Sequence, residues 1–141
     1  MACKAYRDRF YERIGGYSSD IIPEILACDT VHCAFDKAAH LLGMKMISIP
    51  ADEKTRKFDL ARAKALVSSS RTALIVGSSP CFSHGVIDDI SELAALASSY
   101  GVGMHVDACL GSFLVPFAEK LGYDIPKVCF FLIRFDLIRL D

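Results

Sequence analysis

Residues 72–80 read TALIVGSSP, a nearly continuous apolar run halted by serines and a proline. A strand wet on one face alternates apolar and polar residues, whereas one covered on both faces need not. The run therefore predicts a doubly buried strand, and the rest of the chain must supply two covers. It does so by alternation. PEILACD (23–29), KMISIP (45–50) and GMHVDA (103–108) read as further strands, with helical patterns between them. Ala2, Tyr6, Phe10 and Ile14 recur every fourth residue before Gly15-Gly16. Phe35, Ala38, Ala39 and Leu42 mark a helix stopped by Gly43, and Asp59 is placed to cap LARAKALVSS. Ile87, Ile90, Leu93, Ala94, Ala97 and Tyr100 form a stripe that predicts a helix over 85–101. The alternation predicts the α/β class: a mostly parallel sheet flanked by helices.

Ligands of such sheets bind beyond the carboxyl ends of the strands. Asp107 and the Ser78-Ser79-Pro80 turn both fall there. Taken alone, Asp107 is either a turn or capping carboxylate or an anion facing a ligand cation or a metal. His32, in DTVHCAF, is either a capping-region histidine or a group that stacks or donates at a strand-to-helix junction. His84 lies in the loop after the buried strand, where site residues concentrate. His40 reads as structural, and His105 points the same way as Asp107 if the strand is regular.

Composition narrows the classes. A formal net charge of -1 offers no basic surface for nucleic acid. The most apolar stretch, VCFFLIRFDLIRL (128–140), is interrupted by Arg134, Asp136 and Arg139 and is too short for a bilayer span. No secretion pattern opens the chain, so the six cysteines read as reduced thiols. Cys28, His32 and Cys33 are the only zinc candidates, without the paired spacing such a site needs, so no metal is expected. No phosphate-binding glycine loop or nucleophile elbow is present.

Read together, MACKAYRD (1–8), TVHCAFDKAAH (30–40), FSHGVIDDI (82–90) and HVDACLGSFLVPFAEKLGY (105–123) resemble the sphingosine-1-phosphate lyase branch of the pyridoxal-phosphate-dependent group II decarboxylases. Cys109-Leu110 after HVDA favours that branch over amino-acid decarboxylases. The resemblance implies part of an aspartate aminotransferase-like (fold type I) large domain, incomplete here, over residues 1–126. It implies pyridoxal 5′-phosphate as cofactor, and cleavage of phosphorylated long-chain bases to a long-chain aldehyde and phosphoethanolamine. Asp107 matches the aspartate that pairs with the cofactor's pyridine nitrogen, His32 the histidine that stacks on its ring, and Ala108 the small residue that lets the ring approach.

The same resemblance implies what this chain lacks. The phosphate-holding loop belongs upstream of MACKAYRD and the Schiff-base lysine downstream, so no catalytic residue is assigned; Lys120 and Lys127 match other positions. The chain alone is expected to be an inactive fragment, cytoplasmic in itself. The full-length parent is expected to be a homodimer at the endoplasmic reticulum membrane with a cytosolic catalytic domain. Ser112, Cys81 and Ser83 stand where the family usually has glycine, glutamine and proline. Residues 127–141 match nothing in the family and are expected to be a divergent apolar tail; Lys127-Val128 fits an exon boundary read through, since valine codons begin with GT. An amino-acid decarboxylase of the same family and a non-catalytic subunit partner are the alternatives.

Overall fold

The computed structural model describes residues 1–123 and 125. Four strands form one sheet: β1 (Glu24–Cys28), β2 (Lys45–Ile49), β3 (Thr72–Ser78) and β4 (Gly103–Asp107). Their order is β2-β1-β3-β4, and every pairing is parallel. All residues of β1 and β3 are buried, as their unbroken apolar runs require, while β2 and β4 are only partly covered.

Five helices accompany the sheet: α1 (Ala2–Arg13), α2 (Ala34–Leu42), α3 (Leu60–Leu66), α4 (Ile90–Tyr100) and α5 (Gly111–Lys120). Alternation of side chains along the strands divides the core in two. On one face Ile25, Ala27, Leu74 and Val76 pack with Phe10 of α1 and Phe35 and Ala39 of α2. On the other, Leu26, Cys28 and Ile75 pack with Ala63 of α3 and Leu93 and Ala97 of α4. The doubly buried strand thus has the two covers its composition demanded.

Local chemistry sets the helix limits. Asp59 caps α3 by accepting from the Arg62 backbone N–H at 3.0 Å. Gly43 and Gly101 end α2 and α4 in the left-handed conformation, where a side chain is disfavoured. The C-terminal turn of α1 is tied to the amino edge of the sheet through Arg13, whose guanidinium donates to the carbonyls of Ser69, Thr72 and Gly101.

Two expectations need correction. The helix predicted over 85–101 begins at Ile90, because Asp88 turns inward: its carboxylate accepts from the Phe58 N–H at 2.8 Å and the Ser78 N–H at 2.7 Å. Residues 111–120, to which periodicity assigned no element, form α5. Its Phe113, Leu114 and Phe117 are exposed and Val115 is its one buried large apolar side chain among the described residues, so the inward-facing stripe that announces a packed helix is missing. Pro116 inside it also argues against a helix on sequence grounds. The tail 127–141 lies outside the described residues.

Candidate functional site

The carboxyl ends of β1, β3 and β4 open onto one edge of the sheet. His32 follows β1, the loop 79–85 follows β3, and Asp107 closes β4. With β3 between them, the ends of β1 and β4 are two strand spacings apart, roughly 10 Å, enough to admit a planar ring.

Asp107 is half-buried, and its register partner is Ser78. Its carbonyl accepts from the Ser79 N–H at 2.8 Å, so the loop after β3 is stitched to the end of β4. Its carboxylate accepts from the Cys109 N–H at 3.2 Å, a turn-type bond. Among the described residues that is its one side-chain bond, so most of its acceptor capacity remains for a ligand. Ala108 follows, and α5 starts within three residues, its Ser112 N–H donating to the Ala108 carbonyl at 2.7 Å. Gly111 makes this junction possible: a Cβ there would lie 1.8 Å from the Ser79 carbonyl oxygen.

His32 is exposed, just before α2. Its Nδ1 accepts from the Ala34 N–H at 3.2 Å, satisfying a donor that the helix cap Cys33 leaves without a side-chain partner. The capping role that sequence offered for this histidine is therefore real. It also leaves Nε2 without a hydrogen-bond partner among the described residues. The Phe82 ring stands 5.5 Å away, inclined by 71°.

The loop after β3 carries a short polar chain. Cys81 Sγ lies 3.9 Å from Ser83 Oγ, which lies 3.0 Å from His84 Nδ1. Burial works to raise the Cys81 thiol. Hydrogen bonds from the backbone of Val86 and His84 and the hydroxyls of Ser83 and Thr30 outweigh it and bring the thiol below its usual value. His84 is exposed.

Two residues on the regular strand β4 bear out its alternation. His105 shares the face of Asp107 and meets Phe35, with ring centroids 5.9 Å apart. Burial lowers its pKa, against the raising influence of Asp107. It floors a cavity of about 500 Å³ between α1 and α2, lined by Cys3, Phe35 and Leu41. His40 sits exposed in the last turn of α2, apart from the site. Cys28 and Cys33 do not meet His32 as ligands; no group of three metal-binding side chains occurs among the described residues. Cys3, Cys28, Cys33, Cys81 and Cys109 are free thiols.

Sequence reasoning missed Asp88 and Phe82. Asp88 reciprocates its bond to Ser78 by donating its own N–H to the Ser78 carbonyl at 3.0 Å, fixing the strand end from which the loop departs. For Phe82 the signal lay in an apolar ring placed in a polar loop.

A parallel sheet gathering a histidine, a polar loop and an acceptor-rich carboxylate at one edge is a cofactor-binding α/β domain, and its solved neighbours place it among the large domains of fold type I pyridoxal-phosphate enzymes. The chain belongs to the pyridoxal-dependent decarboxylase family, whose conserved domain matches residues 7–131. It is 47% identical over 126 residues to the sphingosine-1-phosphate lyase of Dictyostelium discoideum, covering 89% of this chain and 22% of that protein. It is 49% identical over 127 residues to sphingosine-1-phosphate lyase 1 of Rattus norvegicus, covering 90% and 21%. The solved sphingosine-1-phosphate lyase of Burkholderia pseudomallei superposes with a TM-score of 0.80 at 35% identity, over 87% of this chain and 27% of that one. Glutamate decarboxylase of Lactobacillus brevis, at 24% identity and a TM-score of 0.71 over 82% of this chain and 27% of its own, shares the fold. The chain thus spans about a fifth of the length of the curated relatives it matches.

The donor set fits the family's cofactor. A carboxylate with spare acceptor capacity suits a protonated ring nitrogen, an exposed imidazole suits stacking, and Ala108 beside Asp107 is a small residue.

Proposed function

We propose that this chain forms the cofactor-polarising wall of a carbon–carbon lyase that cleaves phosphorylated long-chain bases to a long-chain aldehyde and phosphoethanolamine. The observation that carries this reading is Asp107, held by Ser79 at the end of β4 with its carboxylate largely unspent.

Bound pyridoxal phosphate supplies an electron sink for the pair released when the substrate's Cα–Cβ bond breaks. Asp107 would accept a charge-assisted hydrogen bond from the protonated pyridine nitrogen, so that the proton stays on that nitrogen and keeps it cationic. His32 lays its imidazole against the ring, oriented by the Ala34 N–H. Ala108 lets the ring approach the end of β4. The Ser79–Gly85 loop borders the space where substrate enters, with Ser83 and His84 as its donors. Neither Lys120 nor Lys127 is given the lysine's role, and the 141-residue chain alone is expected to be inactive. The whole enzyme is proposed to act as a homodimer at the endoplasmic reticulum membrane, its catalytic domain in the cytosol.

A graft tests this. Residues 7–123 replace the matching stretch of the Dictyostelium lyase, and the product is assayed for long-chain aldehyde and for carbon dioxide from amino acids. Aldehyde release that falls about 100-fold or more with Asp107→Asn, the scale of losing one electrostatic stabiliser, supports the proposal. A folded, cofactor-loaded graft that releases only carbon dioxide, or is indifferent to Asp107→Asn, refutes it.

A further inference from the structure

The His32 imidazole is gripped at two points before any ligand arrives. The Ala34 N–H donates to Nδ1 at 3.2 Å, which makes Nδ1 the acceptor and places the neutral ring's proton on Nε2. Phe82 meets the same ring at 5.5 Å between centroids and 71° between planes, the edge-to-face geometry that aromatic pairs prefer. The two partners come from different parts of the chain. Ala34 belongs to α2, after β1, whereas Phe82 belongs to the loop after β3.

Among the described residues, the His32 ring is the aromatic partner of Phe82. Phe82 is 60% exposed, at a position where an apolar ring gains little from burial. Yet its loop is firmly built. Cys81 donates its N–H to the Val86 carbonyl at 2.9 Å, and Gly85 donates back to the Cys81 carbonyl at 3.0 Å. Asp88 anchors the loop's root at Ser78. A rigid loop holding an exposed aromatic ring against one histidine is a device for setting that histidine's tilt.

We propose that Phe82 is a positioning residue for His32: together with the Ala34 N–H it fixes the plane and tautomer of the imidazole, so that a flat heteroaromatic ligand meets a stacking surface already oriented. The proposal rests on the reading of His32 as the stacking residue. Its consequence is that the loop after β3 acts on the cofactor through His32, without touching it.

The test uses the 141-residue chain in long-range proton–nitrogen spectra that resolve the tautomer of each histidine. In the parent chain His32 shows the Nε2–H tautomer alone. In Phe82→Leu, which removes an exposed ring and leaves the denaturation midpoint unchanged, the His32 signals broaden and mix tautomers, and Phe82→Tyr restores the single form. His40 is the internal control and stays constant. Pyridoxal 5′-phosphate, followed by its absorbance and by the His32 shifts, binds about 3–10-fold more weakly to Phe82→Leu, the range expected for one edge-to-face contact. An unchanged His32 tautomer in Phe82→Leu overturns the proposal, whatever the cofactor does. A changed tautomer, with cofactor affinity indifferent both to Phe82→Leu and to His32→Ala, overturns instead the stacking reading on which the proposal rests.

Discussion

Replacing Asp88 with alanine should be the most damaging single change near the site that touches no ligand. The carboxylate is 3% exposed, and its two oxygens take the Phe58 and Ser78 N–H groups at 2.8 and 2.7 Å. Truncation orphans both donors in a buried setting, at about 1–3 kcal/mol each. Relief of the carboxylate's own desolvation returns part of that, because burial already pushes the Asp88 carboxyl above its ordinary value. The net loss is about 2–4 kcal/mol. Asp88→Asn keeps one acceptor and turns an amide toward the other N–H, so it falls between alanine and the parent chain. Urea denaturation followed by far-ultraviolet circular dichroism measures all three. The pH dependence gives a second check. An acid with a raised folded pKa is more protonated in the fold than in the unfolded chain. Its protonation contributes stability that is complete below 3.8, the unfolded value, and is lost as pH rises through the folded value. The gap between the parent chain and Asp88→Asn should therefore narrow as pH rises from 4. A loss under about 1 kcal/mol in Asp88→Ala, a third of the mid-range cost, refutes the reasoning. So does a gap that widens with pH, which would mean that the two N–H donors outweigh burial.

Gly111→Ala sets a Cβ 1.8 Å from the Ser79 carbonyl oxygen, a backbone atom with little room to yield. It should cost about 1–3 kcal/mol as overpacking, and amide exchange at Ser79 should quicken as its bond to the Asp107 carbonyl is pried open. Tyr6→Phe removes the hydroxyl that donates to the Met104 carbonyl at 2.5 Å and should lose about 0.5–1.5 kcal/mol in thermal denaturation. In the parent chain, absorbance titration of the phenols should show Tyr6 ionising above its ordinary value, because burial disfavours the phenolate.

The strands and most helices were legible because their signals are local. TALIVGS announced its double burial by lacking polar residues, and Asp59 announced α3 by its capping chemistry. Asp107 and His32 could be placed at the sheet edge once the alternation was read. What escaped depended on partners distant in sequence. Asp88 looks like any helix-start acid until Phe58, thirty residues earlier, is brought beside it. Phe82 looks like a stray apolar residue until β1 and β3 become neighbours and deliver His32 to it. Helix α5 was invisible because Phe113, Leu114 and Phe117 face outward, so no inward stripe distinguished it.

The seam between Ser79 and the Asp107–Gly111 turn has a consequence for how new specificities can arise on this scaffold. A backbone bond at 2.8 Å and a contact that only glycine permits join the two loops. A reshaped loop after β3 would drag the carboxylate of β4 with it, and a reshaped turn after β4 would unseat the loop. Grafting one segment without the other should yield misfits even where each is individually compatible. Engineering on this scaffold has to move the two as a cassette.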